Sequence, residues 1–147
     1  MSAYFAPDDA RLAVSGCCHD FALALSRMTG WRLAVLQRLP AGDGFDLSDC
    51  PVPVHVFCVT PDGLAVDAEG AGDPAALMRR WDTGRGRWFS TEEFEDEAAY
   101  AAAMAGGPLA PREHGTQAAA RLIAASPAYL ALVEGLRAGG ASAAPRP

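Results

Sequence analysis

Apolar positions recur with two different periods along this chain, and each period predicts a different element. From Cys18, apolar residues return at Phe21, Ala22 and Leu25, one face of a helix, with Ser15 or Gly16 placed as N-cap and Gly30 as the C-terminal stop. A first helix is expected over roughly 17 to 29, preceded by a polar, proline-containing lead-in from Met1 to Asp9. Trp31 to Leu39 alternates as a strand, and Pro40-Ala41-Gly42-Asp43-Gly44 ends it, leaving a loop over residues 40 to 53. Val54 to Val59 and Leu64 to Asp67 flank Thr60-Pro61-Asp62-Gly63, where proline presets φ, aspartate bonds back to its own backbone and glycine takes the left-handed position. That is a hairpin.

The second half reads as helical. Asp73-Pro74 opens a short helix through Trp81, and Ser90-Thr91-Glu92-Glu93 has the form of a capping box ahead of a helix to about Met104. In that reading Glu92 to Glu97 are solvated first turns of the helix, favoured by its dipole. Gly106-Gly107-Pro108 breaks the chain, and a last helix from about Gly115 to Arg137 carries Pro127 as a break or kink. The expected fold class is α+β: a Cys-bearing N-terminal helix on a small antiparallel sheet of three or more strands, with C-terminal helices covering one side.

Three residues in this layout have complementary chemistry. Cys18 stands at a helix start, where unpaired N–H groups and the dipole favour a thiolate. His55 lies in an apolar strand and Asp67 in the next. With Pro61-Asp62-Gly63 as a three-residue loop, Thr60 lies opposite Leu64 and Phe57 opposite Asp67, so His55 and Asp67 share a sheet face as diagonal neighbours roughly 7 Å apart. A slip of one residue would separate them. That face, carrying Phe57 as well, is expected to pack on the first helix and bring the imidazole to the thiol. Each residue also has a plainer reading: Cys18 and His55 as core, Asp67 as cap of the Glu69-Gly70 turn. Cys17, Cys50 and Cys58 read as structural, His19 as exposed or lining a cleft, and His114 as a solvated loop residue.

Gly16-Cys17-Cys18-His19-Asp20-Phe21-Ala22 resembles the Gly-x-Cys-Trp-x-Phe-Ser motif of papain-like cysteine hydrolases, with His19 for tryptophan and Ala22 for serine, and the match selects Cys18 over Cys17. Val54-His55-Val56 resembles the family's histidine strand, and the step to Asp67 resembles its small NlpC/P60-like and bacterial toxin-type members. The resemblance spans residues 15 to 70. It implies a single papain-like domain, taken here as 1–138, and a Cys18-His55-Asp67 triad acting on a peptide, protein or other amide substrate without cofactor or metal; residues 139–147 read from their composition as a disordered tail. It also marks a departure: the family's oxyanion-hole glutamine falls at Leu12 here, so the Cys18 backbone N–H or another donor would serve.

The chain's 147 residues suit one domain, and its apolar share of 50% is ordinary for a globular protein. A net charge of −6 speaks against nucleic acid or an anionic membrane surface as partner. With no basic segment ahead of an apolar core at the start, a cytoplasmic setting is the expectation. The cysteines, at 17, 18, 50 and 58, are too few and irregular for a disulfide scaffold and read as reduced. Two other function classes fit: a non-catalytic binding or assembly module, phage- or toxin-associated, that docks a protein partner through the alanine-rich C-terminal helices, or a zinc site from Cys17 or Cys18, His19, Cys50 and His55, although paired C-x-x-C spacings are missing.

Overall fold

The computed structural model describes residues 3–38, 52–81 and 89–142. Cys50 and most of the expected loop over 40–53 lie outside these residues. The elements run α1 (Pro7–Ser15), α2 (Cys18–Thr29), β1 (Arg32–Arg38), β2 (Val52–Val59), β3 (Ala65–Asp67), β4 (Gly70–Gly72), α3 (Pro74–Trp81), β5 (Phe89–Phe94), α4 (Glu97–Met104), α5 (Glu113–Ala124) and α6 (Pro127–Ser142). The class is α+β, with an antiparallel sheet in the order β4-β3-β2-β1-β5.

Period two along the strands divides the core. Leu33, Val35, Val56, Cys58 and Val66 pack with α2 and the C-terminal helices. Ala34, Leu36, Phe57, Val59 and Ala65 pack with Leu77 of α3 on the opposite face. The expectation that the face carrying Phe57 meets the Cys-bearing helix is therefore corrected: α2 lies across the alternate residues, because α3 covers the Phe57 face. The hairpin takes the predicted register, Cys58 opposite Val66 and Val59 opposite Ala65. Thr60 N–H donates to Leu64 O at 2.9 Å, and Gly63 takes φ 90°. Between β1 and β2 the register shifts, Leu36 facing His55 but Gln37 facing Pro53, so Val54 is an extra residue that bends β2 just before His55.

Three sequence expectations give way to tertiary structure. Residues 7–15 are a helix, so the expected lead-in is already helical from Pro7; Pro7 in the first turn with Asp8 and Asp9 is a start signal, but only the small Ala10 and Ala13 are buried, so the apolar stripe is faint. Ser90-Thr91-Glu92-Glu93 is not a capping box: residues 89–94 form β5 on the free edge of β1, and Asp96 caps α4 by accepting from Ala99 N–H at 2.8 Å. Glu92 and Glu93 thus sit on a strand, where Glu93 pairs with Arg32 at 2.8 Å. Finally α6 continues to Ser142, past the expected end at Arg137 and through residues assigned to a tail. Pro127 does break the last helix, and α5 and α6 meet at 92°. Among the described residues no single helix is long and apolar enough to cross a membrane.

The C-terminal helices reach back to the sheet through Tyr129. Its ring meets Tyr4 and Phe21 edge-on at 5.4 Å each, and its hydroxyl donates to Asp67 O at 2.8 Å. Tyr129→Phe should cost about 1–3 kcal/mol by leaving a buried carbonyl unpaired, and Tyr129→Ala about 3–5 kcal/mol, both read as lowered urea midpoints.

Candidate functional site

Cys18 is the first residue of α2, and Cys17 occupies the N-cap position. Thr60 N–H points toward β3, so Cys58 and Val56, two and four residues back, point the same way, yet the ladder pairs only Cys58 and Val59. The Val56 backbone N–H also favours the Cys18 thiolate. Burial by itself pushes the thiol up, but the His19 and His55 side chains, the His55 charge and Val56 N–H together lower it from 9.0 to about 6. The helix N-terminus adds its own preference for an anion.

His55 is fully buried. Its Nε2 lies 2.9 Å from Asp67 Oδ2 and its Nδ1 3.1 Å from Val14 O. Both neighbours are acceptors, so the ring satisfies them together only with a hydrogen on each nitrogen, as imidazolium. Burial pulls its pKa down, but the Asp67 hydrogen bond, the Cys18 hydrogen bond and the charges of both raise it to about 9. The two shifts run in the same sense, each side chain favouring the charged form of the other, thiolate beside imidazolium. Trp81 at 5.1 Å and Phe57 at 6.3 Å between centroids hold the ring in place.

Asp67 makes the contacts that both of its readings call for. Oδ2 pairs with His55 and also accepts from Arg80 Nη2 at 2.9 Å, while Oδ1 accepts Glu69 N–H at 2.9 Å and caps the turn. Arg80, at the end of α3, supplies countercharge to a carboxylate shut away from water, and it pairs with Glu69 too. The three predicted residues are therefore brought together, His55 touching both others. Arg80 and Trp81 were not legible as site residues, because nothing in local spacing says that α3 lands over Asp67.

His19 departs from expectation. It is buried, 1% exposed, because α5 covers this side of α2. Asp20 beside it is equally buried; Oδ1 lies 3.4 Å from His19 Nε2, and Oδ2 takes the Arg112 guanidinium. Arg112 Nη2 also approaches Cys17 Sγ at 3.7 Å. Cys58 is core as predicted, its sulfur against Ala22 O at 3.2 Å, whereas His114 is exposed but in the first turn of α5 and not in a loop. Leu12 is 55% exposed and brings no donor to the sulfur. Among the described residues no three His, Cys, Asp or Glu side chains converge to hold a metal ion.

Two outcomes follow. Each shift is caused in part by the other group's charge, so the pair contributes stability between about pH 6 and about 9: it is lost as pH falls through about 6, where the lowered thiol takes a proton, and as pH rises through about 9, where the raised imidazole gives one up. Thiolate absorbance at 240 nm should accordingly appear in Cys18 near pH 6, and His55→Ala should move that inflection upward. A Cβ at Gly115 would overlap the Asp20 carboxylate. Gly115→Ala, which helix propensity alone would favour, should instead destabilise the protein by about 1–3 kcal/mol in urea unfolding.

No family model, no curated protein and no solved structure matches this chain, so what the site can do follows from its residues and their arrangement.

Proposed function

We propose that this protein is a papain-like cysteine hydrolase or acyl-transfer enzyme, of peptidase, amidase or deamidase type, acting on an amide, peptide or thioester bond. One observation carries the reading: the His55 imidazole acts on the Cys18 thiol to favour its anion while its Nε2 lies 2.9 Å from Asp67 Oδ2, joining a helix N-terminus to two successive strands. In this mechanism the Cys18 thiolate attacks the acyl carbon, a C–S bond forms, and the carbonyl π pair moves to oxygen. The Nε2 proton stays on nitrogen, hydrogen-bonded to Asp67; the oxyanion's pair re-forms the carbonyl, the bond from the acyl carbon to the leaving group breaks, and that group takes its proton from Nδ1, which rests against Val14 O. The uncharged ring then takes a proton from water or an amine, whose attack releases the acyl group and regenerates the thiolate. Asp67 orients the ring and balances its charge, and stays ionised throughout.

The burial of the pair, with Cys18 4% exposed, favours a second reading in which the same ion pair is structural and the domain is a binding or assembly module. A small alkylating reagent separates the two. At pH 6 about half of a thiol with pKa near 6 is thiolate, against well under 1% of glutathione, and the lower nucleophilicity of the weaker base returns part of that gain. Iodoacetamide should modify Cys18, identified by peptide mass mapping, about tenfold faster than glutathione. His55→Ala should remove the advantage and Asp67→Asn should reduce it several-fold. Equal rates for wild type and His55→Ala would leave the structural reading.

A further inference from the structure

Three buried polar atoms beside the nucleophile have no hydrogen-bond partner: Nδ1 and Nε2 of His19 and Oδ1 of Asp20. Native folds keep few such atoms, because a polar group removed from water without a partner costs stability. Here they cluster on consecutive residues, 1% exposed, directly after Cys18. The arrangement repeats that of His55 and Asp67 in outline. An imidazole lies against the sulfur, a carboxylate stands at its Nε2 at 3.4 Å, and an arginine, Arg112, holds that carboxylate. Gly115 is bare of side chain where Asp20 needs the space. The resting protein thus invests a helix-to-helix contact in placing a ring that completes none of its own hydrogen bonds.

Acyl transfer lacks one part that this ring can supply. When sulfur bonds to the acyl carbon, the carbonyl oxygen becomes an anion, and it needs donors within about 3 Å. The Cys18 backbone N–H is one, since the first N–H groups of a helix have no intrahelical acceptor. Leu12 offers none. We infer that His19 is a second catalytic histidine, an oxyanion donor: a ring N–H hydrogen-bonds the oxygen of the tetrahedral adduct on Cys18, while Asp20 and Arg112 hold the ring in position. His55 then handles the leaving group's proton and His19 the charge on oxygen. The assignment rests on the acyl-transfer reading above and adds to it the residue that stabilises the intermediate.

Alkylation and acylation of the same sulfur separate the roles. Iodoacetamide reacts by displacement at carbon and forms no oxyanion; p-nitrophenyl acetate acylates through one and needs no proton for its leaving group. In the full chain, His19→Leu should lower the rate of Cys18 acylation, followed as stoichiometric p-nitrophenolate release and assigned by peptide mass, about 100-fold more than it lowers alkylation. His19→Gln, which keeps an N–H donor, should recover at least a tenth of the wild-type acylation rate. Leucine keeps the buried volume but gives up the ring's approach to Asp20 and its effect on the thiol, so the urea midpoint is measured beside the rates, and His19→Gln keeps the comparison available should it fall. Equal loss in both reactions, or loss in neither, overturns the proposal. A wild type that is alkylated rapidly but not acylated overturns it too while leaving the thiol activated, whereas a wild type inert to both reagents removes the acyl-transfer reading and this inference with it.

Discussion

A carboxylate and an imidazole, both shut away from water, meet at 2.9 Å between neighbouring strands, and the charges around them are arranged to make that meeting tolerable. Burying Asp67 alone would be costly. Its oxygens are instead filled by His55, Arg80 and Glu69 N–H, so the desolvated charge is shared with a cation on each side and a backbone donor below. Once Asp67 is anionic, the proton on Nε2 is secured, and Val14 O secures the one on Nδ1. The thiolate of Cys18 then becomes the natural counterpart of a buried imidazolium. Remove the carboxylate and the chain of reasons for every neighbouring charge is gone.

The fold places this pair through small irregularities in an otherwise regular sheet. The extra residue Val54 bends β2 before His55, and Asp67 stands at the end of β3. α1 ends so that its Val14 carbonyl meets the imidazole, and α2 begins three residues later with the thiol in its first turn. Tyr129, from a helix far along the chain, fastens the Asp67 backbone from the other side. Strength and position therefore come from the same contacts.

α2 is buried continuously from Cys18 to Leu25, with the sheet on one flank and α5 on the other. Such wrapping is what carries His19 and Asp20 inside, where their polarity has to be answered by Arg112 or left for a ligand. At the far end of the helix Arg27 bridges Glu97 and Glu113, in the first turns of α4 and α5, at 2.6 and 2.9 Å. Exposed bridges of this kind add little stability, but they register three helix ends against one another.

What the sequence by itself determined is local in character. Turn chemistry at Pro61-Asp62-Gly63 set the hairpin register, period two then put His55 and Asp67 on one face, and the apolar stripe with Gly30 delimited the helix headed by Cys18. These follow from interactions within a few residues, or across one tight turn, and so they can be read off the chain. Tertiary structure alone decided the remainder: that residues 89–94 complete the sheet although they look like a helix start, because β1 offered an open edge; that α2 packs on the face opposite Phe57; that Arg80 and Trp81 close over the imidazole; and that His19 is buried. Each of these depends on which surfaces segments dozens of residues apart bury against one another, and that competition for contact leaves no period or motif behind.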